Sequence, residues 1–414
     1  MLGLLAWAAL ALSWLAFGAL GAVFVGYPVA MALLAKLSPK PYPSGAQVWD
    51  DREGELPHVA LVLAAHNEAA RLPAKLASLQ ALDYPHDKLR FYVADDASTD
   101  ETWEVLRRLQ AQEPRLSLVR AEENVGKPTN INRLVREADP EASVLVFNDA
   151  RQALHPQALK ALLAPLQDPK IGGATGDLVL PPNPDGSMQG MGAYWRYETW
   201  IRTNEALTGS VVGATGALYA VRRACFVPHE PDLVLDDMTL PLRVAMQGHR
   251  FVFARGALAY DTFSASLDQE SRRKARTLGG IWQAIEREPR LVRPGAGMTA
   301  RFVGHKLGRA LLPWLVAAAL IGAWTAVPLL MLDPDGPRPV AWALAALMLL
   351  GQAAFHGGAA LAAWAEAKGK NPGPLRIVRT LHSLMSAAWR GWRLWRRGEL
   401  TAAWKRPSTP ASHP

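Results

Sequence analysis

The first 35 residues, Met1 to Ala35, carry no charged side chain. Such a stretch does not belong on the surface of a water-soluble domain, since about 20 apolar residues already suffice to cross the hydrocarbon core of a bilayer. It is also longer than the apolar core of a secretory signal, so the sequence predicts an uncleaved membrane helix over residues 1–37, with a break at Pro28. Two more runs of spanning length lie far downstream, Leu311 to Leu332 and Val340 to Trp364. The turn-forming Asp333-Pro334-Asp335-Gly336-Pro337 separates them, which predicts a membrane hairpin over 311–365 edged by Trp314 and Trp364. Gln352 and His356, one turn apart in the second run, are expected to bond to a neighbouring helix.

Basic residues orient these spans. None precedes the first, whereas Lys36, Lys40 and Arg52 follow it, and the hairpin loop carries only Arg338. The tail over 366–414 is strongly basic. The expected arrangement is an integral inner (plasma) membrane protein with its amino terminus outside and both the region between the first two spans and the tail in the cytoplasm. The net charge of +8 is concentrated beside the membrane, where arginines interleave with Trp389, Trp392, Trp395 and Trp404. That pattern suits anionic membrane lipids as a partner and argues against nucleic acid. The single cysteine, Cys225, excludes an intrachain disulfide and offers no zinc set.

Between the spans, a Pro-containing linker over 38–57 leads into a domain over 58–290, and an interfacial segment over 291–310 precedes the hairpin. His58 to Ala65 reads as a strand, and a helix follows with Leu72, Leu76, Leu79 and Leu82 on one face. Leu89 to Ala94 reads as a second strand ending on Asp95-Asp96, with Ser98 and Glu101 as a capping box for a helix around Thr102 to Gln110. Leu116 to Arg120 and the apolar run from Val144 give two more strands. Strands alternating with helices predict a mainly parallel sheet. Further on, Ile171 to Leu180 reads as extended, Met188 to Leu207 as helical, Gly213 to Arg223 as strand-like, and Asp236-Asp237 open a helix.

Acids thus fall where α/β folds keep their chemistry, at strand ends and loop-to-helix junctions: Asp95, Asp96, Asp100, Asp149, Asp236 and Asp237. With Lys127 and Arg151 they suit a nucleotide, a divalent metal and a proton acceptor. There is no Gly-x-x-x-x-Gly-Lys-Ser/Thr loop, no Gly-x-Gly-x-x-Gly, no His-Glu-x-x-His and no Gly-x-Ser-x-Gly.

Ala64-Ala65-His66-Asn67-Glu68, Asp95-Asp96-Ala97-Ser98-Thr99-Asp100, and Asn124-x-Gly126-Lys127 with Asn132 resemble the opening of family 2 glycosyltransferases. Asn148-Asp149-Ala150-Arg151 stands at that family's Asp-x-Asp, Gly213-Ala214-Thr215-Gly216 resembles its acceptor segment, and Leu235-Asp236-Asp237 its Glu-Asp motif. The resemblance implies a GT-A fold (α/β, Rossmann-like) joined to transmembrane helices, and inverting transfer of a sugar from a nucleotide-sugar donor, expected to be a UDP-sugar. By the same resemblance, Ala65, Asn67, Glu68, Asp95, Asp96, Lys127, Asn132, Asp149 and Arg151 would bind the donor. Asp149 would also hold Mg²⁺ or Mn²⁺, and Asp237, beside Asp236, would be the general base. Gly213, Thr215, Gly216, Gln269, Arg272, Arg273 and Trp282 would line the acceptor.

Two departures stand out. Arg151 occupies the second acid position of the Asp-x-Asp, leaving either Asp149 to hold the ion or Arg151 itself to pair with the diphosphate. Arg273 replaces the tryptophan of the Gln-x-x-Arg-Trp found in polymerising members, so an acceptor sugar would need another platform, such as Trp282 or Tyr194, Trp195, Tyr197 and Trp200. The expected product is a growing polysaccharide or envelope glycan, with export or envelope partners. Single-sugar transfer to a polyprenyl phosphate or glycolipid is the alternative, and a catalytically silent nucleotide-binding scaffold a lesser one.

Overall fold

The computed structural model describes residues 1–180, 189–261, 267–293, 297–334 and 338–402, apart from the side chains of 189–193 and 267–270. The chain divides into a helical unit (Met1–Leu37, Pro182–Ile201, Ser264–Glu399) and a sheet unit built on Ser38–Pro181 and Arg202–Phe263.

At the start of the helical unit, α1 (Leu2–Gly21) runs into α2 (Tyr27–Leu37) through a π-helical turn at Ala22–Gly26. The expected break at Pro28 is therefore a local widening of one helix. Proline has no N–H to donate, and a turn that pairs residues five apart accommodates the gap.

The sheet unit opens with β1 (Val59–Ala65), α3 (Leu72–Gln80), β2 (Leu89–Asp95), α4 (Thr102–Gln110), β3 (Leu116–Arg120), α5 (Lys127–Glu137) and β4 (Val144–Asn148). It continues through β5 (Ala153–Leu154), α6 (Ala158–Leu163), β6 (Ile171–Val179), β7 (Leu218–Arg222), α8 (Asp236–Met246) and β8 (Arg250–Tyr260), while α7 (Gln189–Thr208) lies in the helical unit up to Ile201 and in the sheet unit from Arg202. The strand order is β3-β2-β1-β4-β7-β6-β8-β5. β1 and β4 are buried along their whole length, which is why they read as unbroken apolar runs. Burying each large ring, such as Phe147 stacked on Tyr219 at 4.8 Å, stabilises the core by about 2 kcal/mol.

From β3 to β4 all pairing is parallel, as the strand-helix alternation predicts. Beyond β4 that alternation stops and the sheet becomes mixed, with β7 antiparallel to both β4 and β6, and β5 antiparallel to β8. This matters for chemistry. Because Asn148 pairs with Leu218 in antiparallel register, the carboxyl end of β4 meets the beginning of β7 and the loop that leads into it.

The capping box expected at α4 does not form. Ser98 Oγ instead accepts the backbone N–H of Asn67, and Asp100 caps the helix by accepting from Thr102 N at 3.0 Å. Long-range stitching has taken the serine from the local motif.

The helical unit ends with α9 (Leu267–Arg287), α10 (Gly297–Phe302), α11 (Gly308–Ala310), α12 (Leu312–Met331), α13 (Pro339–Ala367) and α14 (Leu375–Arg396). Leu2–Leu37, α12 and α13 are long and apolar enough to cross a membrane. α1 and α12 meet through small residues: Ser13 Oγ donates to Ala319 O, and a Cβ on Gly322 would lie 2.5 Å from Ala9 O. Gln352 donates to Val316 O on α12, the interhelical bond its sequence position suggested. The segment from Leu267, placed by sequence in the 58–290 domain, belongs to the helical unit.

Candidate active site

Parallel register sets the ends of β1 and β2 side by side, Ala65 opposite Asp95. The two loops leaving these strands are tied together. Asn67 and Ala97 both adopt left-handed backbone conformations (φ 57° and 52°), His66 Nδ1 bonds to Asp96 O, Thr99 N donates to Asn67 Oδ1, and Glu68 N to Thr102 Oγ1. The Glu68 carboxylate itself pairs with Arg71.

Asp95 and Asp96 are fully buried. Asp95 accepts from Ser98 N and faces Arg120 at 3.3 Å, its register partner on β3. Asp96 accepts the N–H groups of Val125 and Gly126, both at 2.9 Å. Gly126 sits at φ +85°, a conformation open to glycine, and this turn launches α5 with Lys127 as its first residue.

Lys127 is the centre of the site. Its Nζ lies 2.9 Å from Asp149 Oδ1, just beyond β4, and 3.3 Å from Asp236 Oδ2, at the start of α8. Burial alone would pull this ammonium down, but Asp149, Asp236 and Asp237 outweigh it and hold its pKa above the ordinary lysine value. Asp236 is buried and also accepts from Tyr219 OH at 3.0 Å. Against its burial, Lys127 then His229 and the tyrosine bond keep its carboxyl below the usual value.

Asp237 is half-buried and closes the site from the other side. Its carbonyl accepts from Ala214 N at 2.7 Å, while Thr215 N donates to Thr175 Oγ1, so the 213–216 loop is held against the first turn of α8. Gly216 sits between the acids: a Cβ there would lie 3.1 Å from Asp237 Oδ2 and 3.6 Å from Asp149 Oδ2. Two carboxylate oxygens thus face one open cradle, the hard donor set a divalent cation takes with phosphate and water oxygens. Among the described residues no three His, Cys, Asp or Glu side chains converge on a metal position, so any ion here would complete its coordination with oxygens from water or a bound ligand.

Arg151 turns away from that cradle toward Asp261, at 2.9 Å, and Gln152 donates to the same oxygen at 2.8 Å. Asn132 is likewise engaged, its amide bonding both the N–H and the carbonyl of His229. Arg272, Arg273 and Trp282 lie on α9 in the helical unit, where Trp282 stacks on Trp395 and meets Trp314 edge-on. The Gln269 side chain lies outside the described residues.

Sequence reading missed Tyr219, Asp261, His229 and Lys75. Lys75 could have been found, because it falls on the apolar face of α3 among Leu72, Leu76 and Leu79. Its Nζ donates to Asn148 Oδ1 and, at 2.6 Å, to Gln152 O. Burial pulls its pKa down to about 7, with Asp149 opposing the shift.

Comparison with known proteins completes the picture. A family model described as "Glycosyltransferase like family 2" matches residues 57–280. The chain belongs to this family. Like other glycosyltransferases of the family, it is an enzyme, with GT-A-like structural neighbours. A mannosyltransferase from Pyrobaculum calidifontis, solved with GDP-Man and Mn²⁺, superposes with a TM-score of 0.63 at 24% identity, covering 93% of this chain and 99% of that one. A Rhizobium meliloti N-acetylglucosaminyltransferase is 25% identical over 64% of this glycosyltransferase and 65% of its own length. A Synechocystis beta-monoglucosyldiacylglycerol synthase is 31% identical over 28% of the chain. The chain spans about a quarter of the length of that synthase.

Proposed function

We propose that this glycosyltransferase moves a sugar from a nucleotide-sugar donor, with inversion, to an acceptor carried at the membrane. The observation that carries this reading is the approach of Asp149 and Asp237 to Gly216, with Lys127 bridging Asp149 to Asp236. Asp237 accepts the proton of an acceptor hydroxyl, whose oxygen attacks the anomeric carbon from the face opposite the leaving diphosphate. A positioned carboxylate contributes about a hundredfold to ten-thousandfold in such a step. Asp236, buried and bonded to Tyr219 and Lys127, holds the lysine in place and leaves the role of base to its neighbour.

Charge developing on the diphosphate is met by Lys127. A divalent ion held by Asp149, with Asp237 nearby, would add Lewis-acid stabilisation of the same leaving group. The buried Asp95 and Asp96 shape the nucleotide end by fixing the loops around it. Arg151, engaged by Asp261, acts on the donor through the turn it anchors rather than by direct pairing.

A growing glycan is the first acceptor reading. A lipid acceptor modified once is the second, favoured by a membrane portion of three candidate spans among the described residues and by Arg273 in place of an aromatic platform. In either case the sheet unit works in the cytoplasm. The test is a panel of nucleotide sugars offered to purified protein in lipid nanodiscs, with and without Mg²⁺ or Mn²⁺. Release of nucleoside diphosphate from one donor is expected, and partition of labelled product into organic solvent as a single species selects the lipid acceptor. No turnover of any donor in the presence of membrane lipid and glycan acceptors would refute the reading.

A further inference from the structure

Lys75 is 4% exposed and bonds the residues on either side of Asp149, and nothing in the reaction outlined above uses it. Its two acceptors, Asn148 Oδ1 and Gln152 O, bracket Asp149, Ala150 and Arg151. Asn148 in turn donates through Nδ2 to Ala217 O, next to Gly216, so a single buried ammonium ties the acid turn to the cradle loop. One helical turn further along α3, Ser78 Oγ accepts from Leu154 N at 2.7 Å and fixes the far side of the same segment. Helix α3 is thus a platform under residues 148–154.

An apolar residue would fill this space at lower desolvation cost, since a buried ammonium is expensive unless it is fully bonded. The charge is therefore the feature to explain. Asp149 has Lys127 paired with it, and Lys75 bonds Asn148 and Gln152 on either side of it. Two cations bearing on one carboxylate reduce its pull on a third. At a solvent-open site, where the effective dielectric constant approaches that of water at about 80, a unit charge roughly 6 Å away changes the affinity for a divalent ion on the order of tenfold.

We propose that Lys75 is a positioning residue for Asp149, fixing the Asn148–Gln152 turn and setting how strongly that carboxylate attracts a divalent cation. This rests on the reading of Asp149 as a metal-holding acid. Removing the charge is expected to outweigh loosening the turn, because the charge acts on the ion directly while Ser78 still holds the far side of the segment.

The test is Mn²⁺ alone titrated into the full chain in nanodiscs at pH 6, with free ion read by electron paramagnetic resonance and no turnover required. Lys75→Met is expected to bind Mn²⁺ about tenfold more tightly than the wild type, and Lys75→Arg within about twofold of it. Asn148→Leu, which keeps the charge and removes its anchor, is expected to bind more weakly. Lys75→Gln, still a donor but uncharged, carries the same expectation as the methionine variant if that variant does not fold. Unchanged or weaker binding in the uncharged variants, with wild-type binding that depends on Asp149, overturns the role of Lys75 alone. Wild-type binding that ignores Asp149→Asn removes the underlying assignment of Asp149 and this proposal with it.

Discussion

Replacing Gly216 with alanine separates the geometry of the site from its stability. The added Cβ would stand 3.1 Å from Asp237 Oδ2 and 3.6 Å from Asp149 Oδ2. The second distance is ordinary contact; the first requires the Asp237 carboxylate to withdraw by a few tenths of an ångström. Misplacement by about 1 Å costs on the order of a hundredfold in rate, so the shift alone accounts for roughly a fivefold loss. The methyl also occupies the face that both carboxylates present to the reacting groups, and the expected total is a fall in kcat of about ten- to a hundredfold. Asp237 is half-exposed and can yield, so stability should change by less than about 1 kcal/mol. Gly213→Ala is the matched control, because its Cβ meets Met238 at an ordinary 3.5 Å. Steady-state transfer kinetics beside thermal unfolding of all three proteins make the comparison. A Gly216→Ala enzyme whose kcat stays within twofold of the wild type would refute the assignment of that face.

Asp237→Asn should lower kcat about a hundredfold or more while nucleotide binding, followed by calorimetry, is retained. Asp236→Asn should additionally destabilise the fold by about 2–3 kcal/mol in urea unfolding, because half-buried Lys127 loses one of its carboxylates and the buried bond to Tyr219 is weakened. Arg151→Met should cost about 1–2 kcal/mol of stability through the buried Asp261 it leaves behind, with the KM for donor changing less than about threefold. In acid, Glu113 should dominate one branch of the stability curve: bonding to Arg115 lowers its pKa to about 2, against its burial. A depressed carboxyl contributes stability that is present above about pH 4.5 and lost as pH falls toward 2, and Glu113→Gln should flatten that branch at a cost of about 2 kcal/mol near neutrality.

How much of this was legible in the sequence follows the range of the interactions. β1 and β4 could be read because strands buried on both faces leave unbroken apolar runs, β2 because Phe91 to Ala94 does the same after an exposed Arg90, and the acids at the ends of β2 and β4 came with them. The antiparallel entry of β7 could not, since Leu218–Arg222 has the same composition in either direction. Ser98 carried a local capping signature that a partner 31 residues away overrode. Arg151 looked available for a diphosphate because Asp261, 110 positions later, leaves no local trace. Lys75 did leave one, a lysine inside a leucine stripe, but its meaning depends on a turn that only the fold brings above it.

The close packing of α1 on α12 carries a consequence for how the molecule is made. Ser13 reaches Ala319, and Gly322 lies against Ala9, yet the residues of each pair are more than 300 positions apart in sequence. Since chains emerge amino end first at about 5–20 residues per second, α1 waits for its partner for some fifteen seconds or longer. The whole sheet unit is translated in that interval. An apolar helix long enough to cross a membrane, with a seam of alanine, serine and glycine, is therefore made well before the helix it packs against. A ribosome stalled before Leu312 should present a folded sheet unit and a first helix that still lacks its partner, so the seam between α1 and α12 can close only after the sheet unit has been made.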